Sequence, residues 1–84
     1  MHVEFLGIPR ERAGLSEVVL DAETLADVLR TLRERFPSLA DLMTADGLHP
    51  SIAANLNGNH FIRDPRTRLA DTDRLLILSA DVGG

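Results

Sequence analysis

Hydrophobic and polar positions alternate near both ends of the chain and fall into a helical stripe between them. In Met1-His2-Val3-Glu4-Phe5-Leu6-Gly7, residues Met1, Val3 and Phe5 share one side, the period-2 signature of a half-buried strand. Gly7 to Gly14, with Pro9 between, reads as a loop carrying Arg10, Glu11 and Arg12. Glu17-Val18-Val19-Leu20 forms a second short strand, at a distance that allows an antiparallel hairpin with the first. The period then changes. Leu25, Val28, Leu29, Leu32 and Phe36 recur at helical spacing, while Arg30, Arg33, Glu34 and Arg35 take the opposite side. Thr24 with Asp27 three residues on resembles a capping box, with Asp in place of the usual Glu or Gln. Arginines in the last turn suit the helix dipole, and Pro37 ends the helix.

Ser38 to Met43 predicts a short second turn of helix, with Leu39, Leu42 and Met43 over a core edge, and 44–51 reads as irregular. Period 2 returns in Ile52-Ala53-Ala54-Asn55-Leu56-Asn57, with Ile52, Ala54 and Leu56 inward. Asn57-Gly58 is the strongest hairpin signal, because both central positions of a type I′ turn need φ > 0, and His60-Phe61-Ile62 follows as the return strand. Asp71-Thr72-Asp73-Arg74 reads as a polar turn. Leu75-Leu76-Ile77-Leu78 is a continuous apolar run, as expected of a central strand buried on both sides and lying parallel to the first. The order strand, strand, helix, strand, short strand, strand predicts an α+β fold. It is a β-grasp, or ubiquitin-like, mixed sheet of four to five strands with one main helix packed across it. Residues 1–84 are expected to form a single domain, with a flexible tail over 80–84.

Composition narrows the chemistry. The 84 residues include no cysteine, which excludes disulfides, thiol nucleophiles and thiolate metal ligands. A net charge of −4 argues against nucleic acid, which needs a basic face. No apolar run approaches the ~20 residues of a membrane span, and the N-terminus has no secretory signal pattern, so no membrane partner and a cytoplasmic location are expected. All nine cationic residues are arginine, so chains of this protein linked to itself through lysine cannot form. His2, His49 and His60 lack metal-ligand spacing, no phosphate-binding glycine loop is present, and Asp71 and Asp73 sit where turn-forming aspartates do. The run Arg63, Asp64, Arg66, Arg68 reads as solvated surface. No catalytic residue and no bound metal or cofactor is expected.

The remaining candidate is the end of the chain, Val82-Gly83-Gly84. A terminal diglycine offers a main-chain carboxylate on a tail without Cβ atoms, able to thread a channel too narrow for other residues. From Leu69 to Gly84 the sequence is similar to the small ubiquitin-like sulfur carriers, namely the molybdopterin synthase small subunit and the thiamine-pathway sulfur carrier with their cysteine-synthesis relatives. The Asn55-x-Asn57-Gly58 hairpin and the Thr24-Leu25-Ala26-Asp27 helix opening also look like that family. The resemblance implies a sulfur carrier without activity of its own, or the small subunit of a sulfurtransferase complex.

In that reading Gly84 is adenylated by a ubiquitin-activating-like enzyme, which uses ATP and magnesium, and is converted to a thiocarboxylate. Gly83 and Val82 thread into the partner. A sulfurtransferase or a sulfur acceptor, such as a molybdopterin synthase large subunit, is the second partner, and Phe61 is a candidate for the docking surface. Two features leave alternatives open. Thr72 stands where the family's turn usually has glycine, and Ser79-Ala80-Asp81-Val82 replaces the proline-containing tail common in molybdopterin synthase small subunits. Sulfur transfer to thiamine, cysteine or a specialised metabolite, and attachment to target lysines as a protein modifier, are the other functions of this class.

Overall fold

The computed structural model describes residues 1–44 and 47–80. Its elements are β1 (His2–Leu6), α1 (Ile8–Ala13), β2 (Glu17–Val19), α2 (Leu25–Arg35), a 3₁₀ turn (Pro37–Leu39), β3 (Met43–Thr44), β4 (Gly47–Leu48), β5 (Ile52–Leu56), β6 (His60–Ile62) and β7 (Arg74–Ser79). A five-stranded sheet has the order β2-β1-β7-β5-β6. Its centre is the parallel pair β1 and β7, with Val3 opposite Leu75 and Phe5 opposite Ile77. The other pairings, β1 with β2, β5 with β7 and β5 with β6, are antiparallel. This is the β-grasp arrangement that the order of patterns predicts.

The period-2 faces carry the core. Val3, Phe5, Ile52, Ala54, Leu75 and Ile77 point to one side and are buried against Leu25, Val28, Leu29 and Leu32 of α2. Phe36 closes one end, its ring edge-on to Phe5 at 6.0 Å between centroids, a favoured aromatic geometry. The helix begins as its sequence signals. Thr24 Oγ1 accepts a hydrogen bond from Asp27 N at 3.2 Å, and Asp27 Oδ2 accepts one from Glu23 N at 3.1 Å. The reciprocal bond thus reaches the residue before the cap rather than the cap itself. The Glu23 N–H first, and then the Arg30 charge, hold the partly buried Asp27 carboxyl below the usual carboxylate range against desolvation.

Four expectations need correction. Residues 7–14 are not an open loop but contain α1, opened by Pro9 in its first turn and closed by Gly14 in the left-handed region at φ 78°. Six residues are too few to display a helical period, and so short a helix depends on tertiary support. Here Pro9 is buried, and Arg12 reaches Asp41 at 2.6 Å and the Ser38 carbonyl at 3.1 Å. The helical turn foreseen over 38–43 is a 3₁₀ turn over Pro37–Leu39, although Leu39, Leu42 and Met43 are buried as expected. Within 44–51, Thr44 and Gly47 pair across the antiparallel β3–β4 ladder. Finally, β7 is not equally buried on both faces. Leu75 and Ile77 face α2; on the other side Leu78 is buried as expected, at 5% exposure, whereas Leu76 is half-buried.

Candidate functional site

The uncovered face of the sheet presents one row that crosses all five strands. Cross-strand pairing sets Phe61 beside Asn55, Asn55 beside Leu76, Leu76 beside Glu4, and Glu4 beside Glu17. Paired residues share a face, and strand alternation sends this row away from α2. Phe61, the candidate docking residue, is 63% exposed, a position that a core phenylalanine does not occupy. The row grades from aromatic and aliphatic at β6 and β7 to acidic at β1 and β2. Glu4 and Glu17 lie directly opposite each other, an unfavourable like-charge pair. Arg74 offsets it by approaching Glu4 at 3.3 Å. Both of those side chains are about half exposed, so the pair itself contributes little.

A concavity of about 290 Å³ opens on this face, lined by Glu4, Asn55, Asn57, Gly58, Arg74, Leu75 and Leu76. Its floor is braced by the turn residues. Asn57 and Gly58 both have positive φ, at 55° and 77°, as the Asn-Gly signal requires. Leu56 pairs with His60, so three residues span the turn. Asn57 Nδ2 donates to Asp73 Oδ1 at 2.9 Å, and Asn57 Oδ1 accepts from Arg74 N at 2.8 Å. Asp73 Oδ2 also accepts from Ala70 N at 2.7 Å. The asparagine that makes the β5–β6 turn therefore also fixes the start of β7. Asp73 is a turn residue bonding local N–H groups, as its sequence setting indicates.

The Ala70 N–H bond, then the Asn57 amide, hold the Asp73 carboxyl below the usual range against the opposing effect of desolvation. A group whose pKa is lowered in the folded state stabilises above its unfolded pKa, and that contribution is lost as pH falls through the folded pKa. Asp73→Asn is therefore expected to lower stability most at neutral pH. The difference from the unsubstituted chain should shrink as pH falls through the lowered Asp73 pKa. Urea unfolding at a series of pH values checks this; a difference independent of pH would show that the charge of Asp73 contributes nothing.

The last strand ends at a second constructed corner. Ser79 pairs with Ile52, and its buried Oγ accepts a hydrogen bond from Ile8 N at 2.9 Å. Ala80 N donates to Ser51 O at 2.7 Å. The sequence reading placed Ser79 in the tail and missed this contact. The available signals were a lone hydroxyl closing an apolar strand and a glycine, Gly7, just after β1. Val82, Gly83 and Gly84 lie outside the described residues. Among the described residues, no group of three or more His, Asp or Glu side chains could hold a metal ion, and no helix is long and apolar enough to cross a membrane.

The family model described as the ThiS family matches residues 3–84. The chain belongs to the ThiS family. Its fold is that of the ubiquitin-like sulfur carriers and modifiers. Small archaeal modifier protein 1 from Methanosarcina acetivorans is 30% identical, with a TM-score of 0.78 over 93% of this chain and 89% of that one. A Haloferax volcanii protein is 28% identical, with a TM-score of 0.75 over 99% and 84% of the two chains. In the BexX/CysO complex of Amycolatopsis orientalis, the matching chain is 22% identical at a TM-score of 0.78 over 93% of this chain and 92% of that one, a likeness of fold alone. No curated protein matches the sequence.

Proposed function

We propose that this ThiS-family chain is a sulfur carrier whose reacting group is the C-terminal carboxylate of Gly84. The observation that carries the proposal is the extent of the family match, which runs through the diglycine to residue 84. A carboxylate is a poor acyl donor because oxide is a poor leaving group. In an activating enzyme, the Gly84 carboxylate oxygen attacks the α-phosphorus of ATP, with magnesium held by that enzyme, and pyrophosphate leaves. The terminal sulfur of an enzyme persulfide then attacks the acyl carbon, and AMP leaves. A neighbouring thiol of the enzyme attacks the resulting acyl disulfide, forming an enzyme disulfide and releasing a C-terminal thiocarboxylate. Dividing one difficult transfer into easier covalent steps is the logic of nucleophilic catalysis. The carrier supplies the group and catalyses none of these steps.

Docking is assigned to the uncovered sheet face, where Phe61 and Leu76 offer apolar area and Glu4 and Glu17 call for cationic groups on the partner. For the acceptor, we favour a molybdopterin synthase large subunit. Thiamine, cysteine and specialised-metabolite pathways are the alternatives. A second reading, attachment of Gly84 to a target lysine, is favoured by the 30% identity to a protein named as a modifier. Both readings share the adenylate and diverge at its acceptor.

The absence of cysteine provides a clean test. In host extract supplied with ATP, with protein synthesis blocked, radiosulfur from labelled cysteine should become covalently attached to the chain. Attachment should require ATP and Gly84. Unlabelled chain together with larger, lysine-linked adducts would support the modifier reading and count against the carrier.

A further inference from the structure

We propose that Ser79 is a positioning residue that fixes where and in which direction the chain leaves the sheet on its way to Gly84. The inference rests on the reading that Gly84 is the reacting residue. Among the described residues, Ser79 is the one fully buried polar side chain, at 2% exposure. A hydroxyl is costly to bury unless it finds a partner. Its partner is Ile8 N, the first N–H of α1, one of the groups that a helix start leaves unbonded. The residue at the cap position, Gly7, has no side chain with which to satisfy it. Ser79 therefore caps α1 from 71 residues away along the chain.

Gly7 and Ser79 are fitted to each other. A Cβ on Gly7 would lie 2.5 Å from Ser79 Oγ, and Gly7 has φ 71°, so a side chain at residue 7 is excluded both by the hydroxyl and by the backbone. The next residue is tied on the other flank through Ala80 N and Ser51 O at 2.7 Å. The end of β7 is thus held between the β1–α1 corner and the entry to β5. The core does not require the hydroxyl, because β7 is already paired on both sides, Leu78 with Leu6 and with Ala53. What the hydroxyl adds is a fixed exit vector, and placement of a reacting group is where small displacements change rates most.

The two roles of the chain are then separable: the sheet face determines partner affinity, and the Ser79 corner determines presentation of Gly84. In the radiosulfur-loading assay with varied chain concentration, Ser79→Ala is expected to lower maximal loading about tenfold. The half-saturating concentration should stay within about twofold. Amide exchange at Ile8 should accelerate, circular dichroism should be unchanged, and Ser79→Thr, which keeps the oxygen, should restore maximal loading toward that of the unsubstituted chain.

Faster exchange at Ile8 with unchanged maximal loading would overturn the proposal and leave Ser79 a purely structural cap. Equal losses in the Ala and Thr variants, or a loss confined to the half-saturating concentration, would overturn it as well. If the unsubstituted chain takes up no sulfur, the underlying carrier reading fails instead.

Discussion

Deleting Gly83 and Gly84 is expected to reduce sulfur loading to background while leaving the fold intact. The two effects separate because of where the chain's stabilising groups lie. The hydrophobic core runs from Met1 to Ile77, and the final sheet pairing is that of Ser79 with Ile52. These contacts lie entirely among the described residues, 1–44 and 47–80. A truncation outside them should alter stability by no more than about 0.5 kcal/mol. The proposed reacting group, by contrast, is removed outright. Gly83→Val is expected to give a related result by obstruction, since a β-branched side chain would have to enter the channel proposed for a tail without Cβ atoms. Loading and thermal unfolding, measured on the same preparations, check the pair. Retained loading after the deletion would contradict the assignment of Gly84.

Ile77→Ala is expected to have the largest effect on stability. Ile77 is fully buried at the centre of the sheet, between Phe5 on β1 and Ala54 on β5. Truncating such a residue removes its burial and leaves a cavity, at a cost of about 3 kcal/mol. A domain of this size is stable by only ~4–13 kcal/mol, so the loss is a large share of the total. The melting temperature should fall by roughly 12–24 °C. Because Ile77 lies two residues before the Ser79 corner, loading should decline only in proportion to the unfolded fraction. Urea denaturation measures the first effect, and a cost below about 1 kcal/mol would mean that the core is less tightly packed around this strand than its burial indicates.

The elements that sequence patterning reveals are those whose period matches their burial. Val3, Phe5, Ile52 and Ala54 alternate because only one face of the sheet is covered, and Leu25, Val28, Leu29 and Leu32 recur because α2 buries one stripe. Asn57-Gly58 was legible for a local reason, since the turn requires positive φ. The features that escaped are fixed by distant partners. The segment Ile8–Ala13 is supported by distant partners, with Pro9 buried, Ser79 accepting from its first N–H, and Ser38 and Asp41 holding Arg12. No periodicity encodes such contacts. Ser79 likewise looks like part of a tail until the fold brings Gly7 against it. Phe61 was the ambiguous residue, because alternation within a three-residue strand does not identify the inner face. Its pairing with Asn55 resolves the direction.

The charge pattern acquires meaning only with the register. Glu4 and Glu17 are unremarkable along the chain, but antiparallel pairing makes them direct neighbours on the uncovered face. Together with Phe61 and Leu76 they form a surface that is apolar at one side and acidic at the other. In the proposed carrier role, that surface and the exit at Ser79 are what this fold contributes to a reaction on the last residue.

The most direct test is the intact mass of the protein isolated gently from its own host, with fragmentation to locate any change. The carrier account expects a species in which one oxygen has been exchanged for sulfur, localised to Gly84. Unmodified chain accompanied only by adducts joined through Gly84 to a lysine of another protein would contradict it and establish the modifier instead.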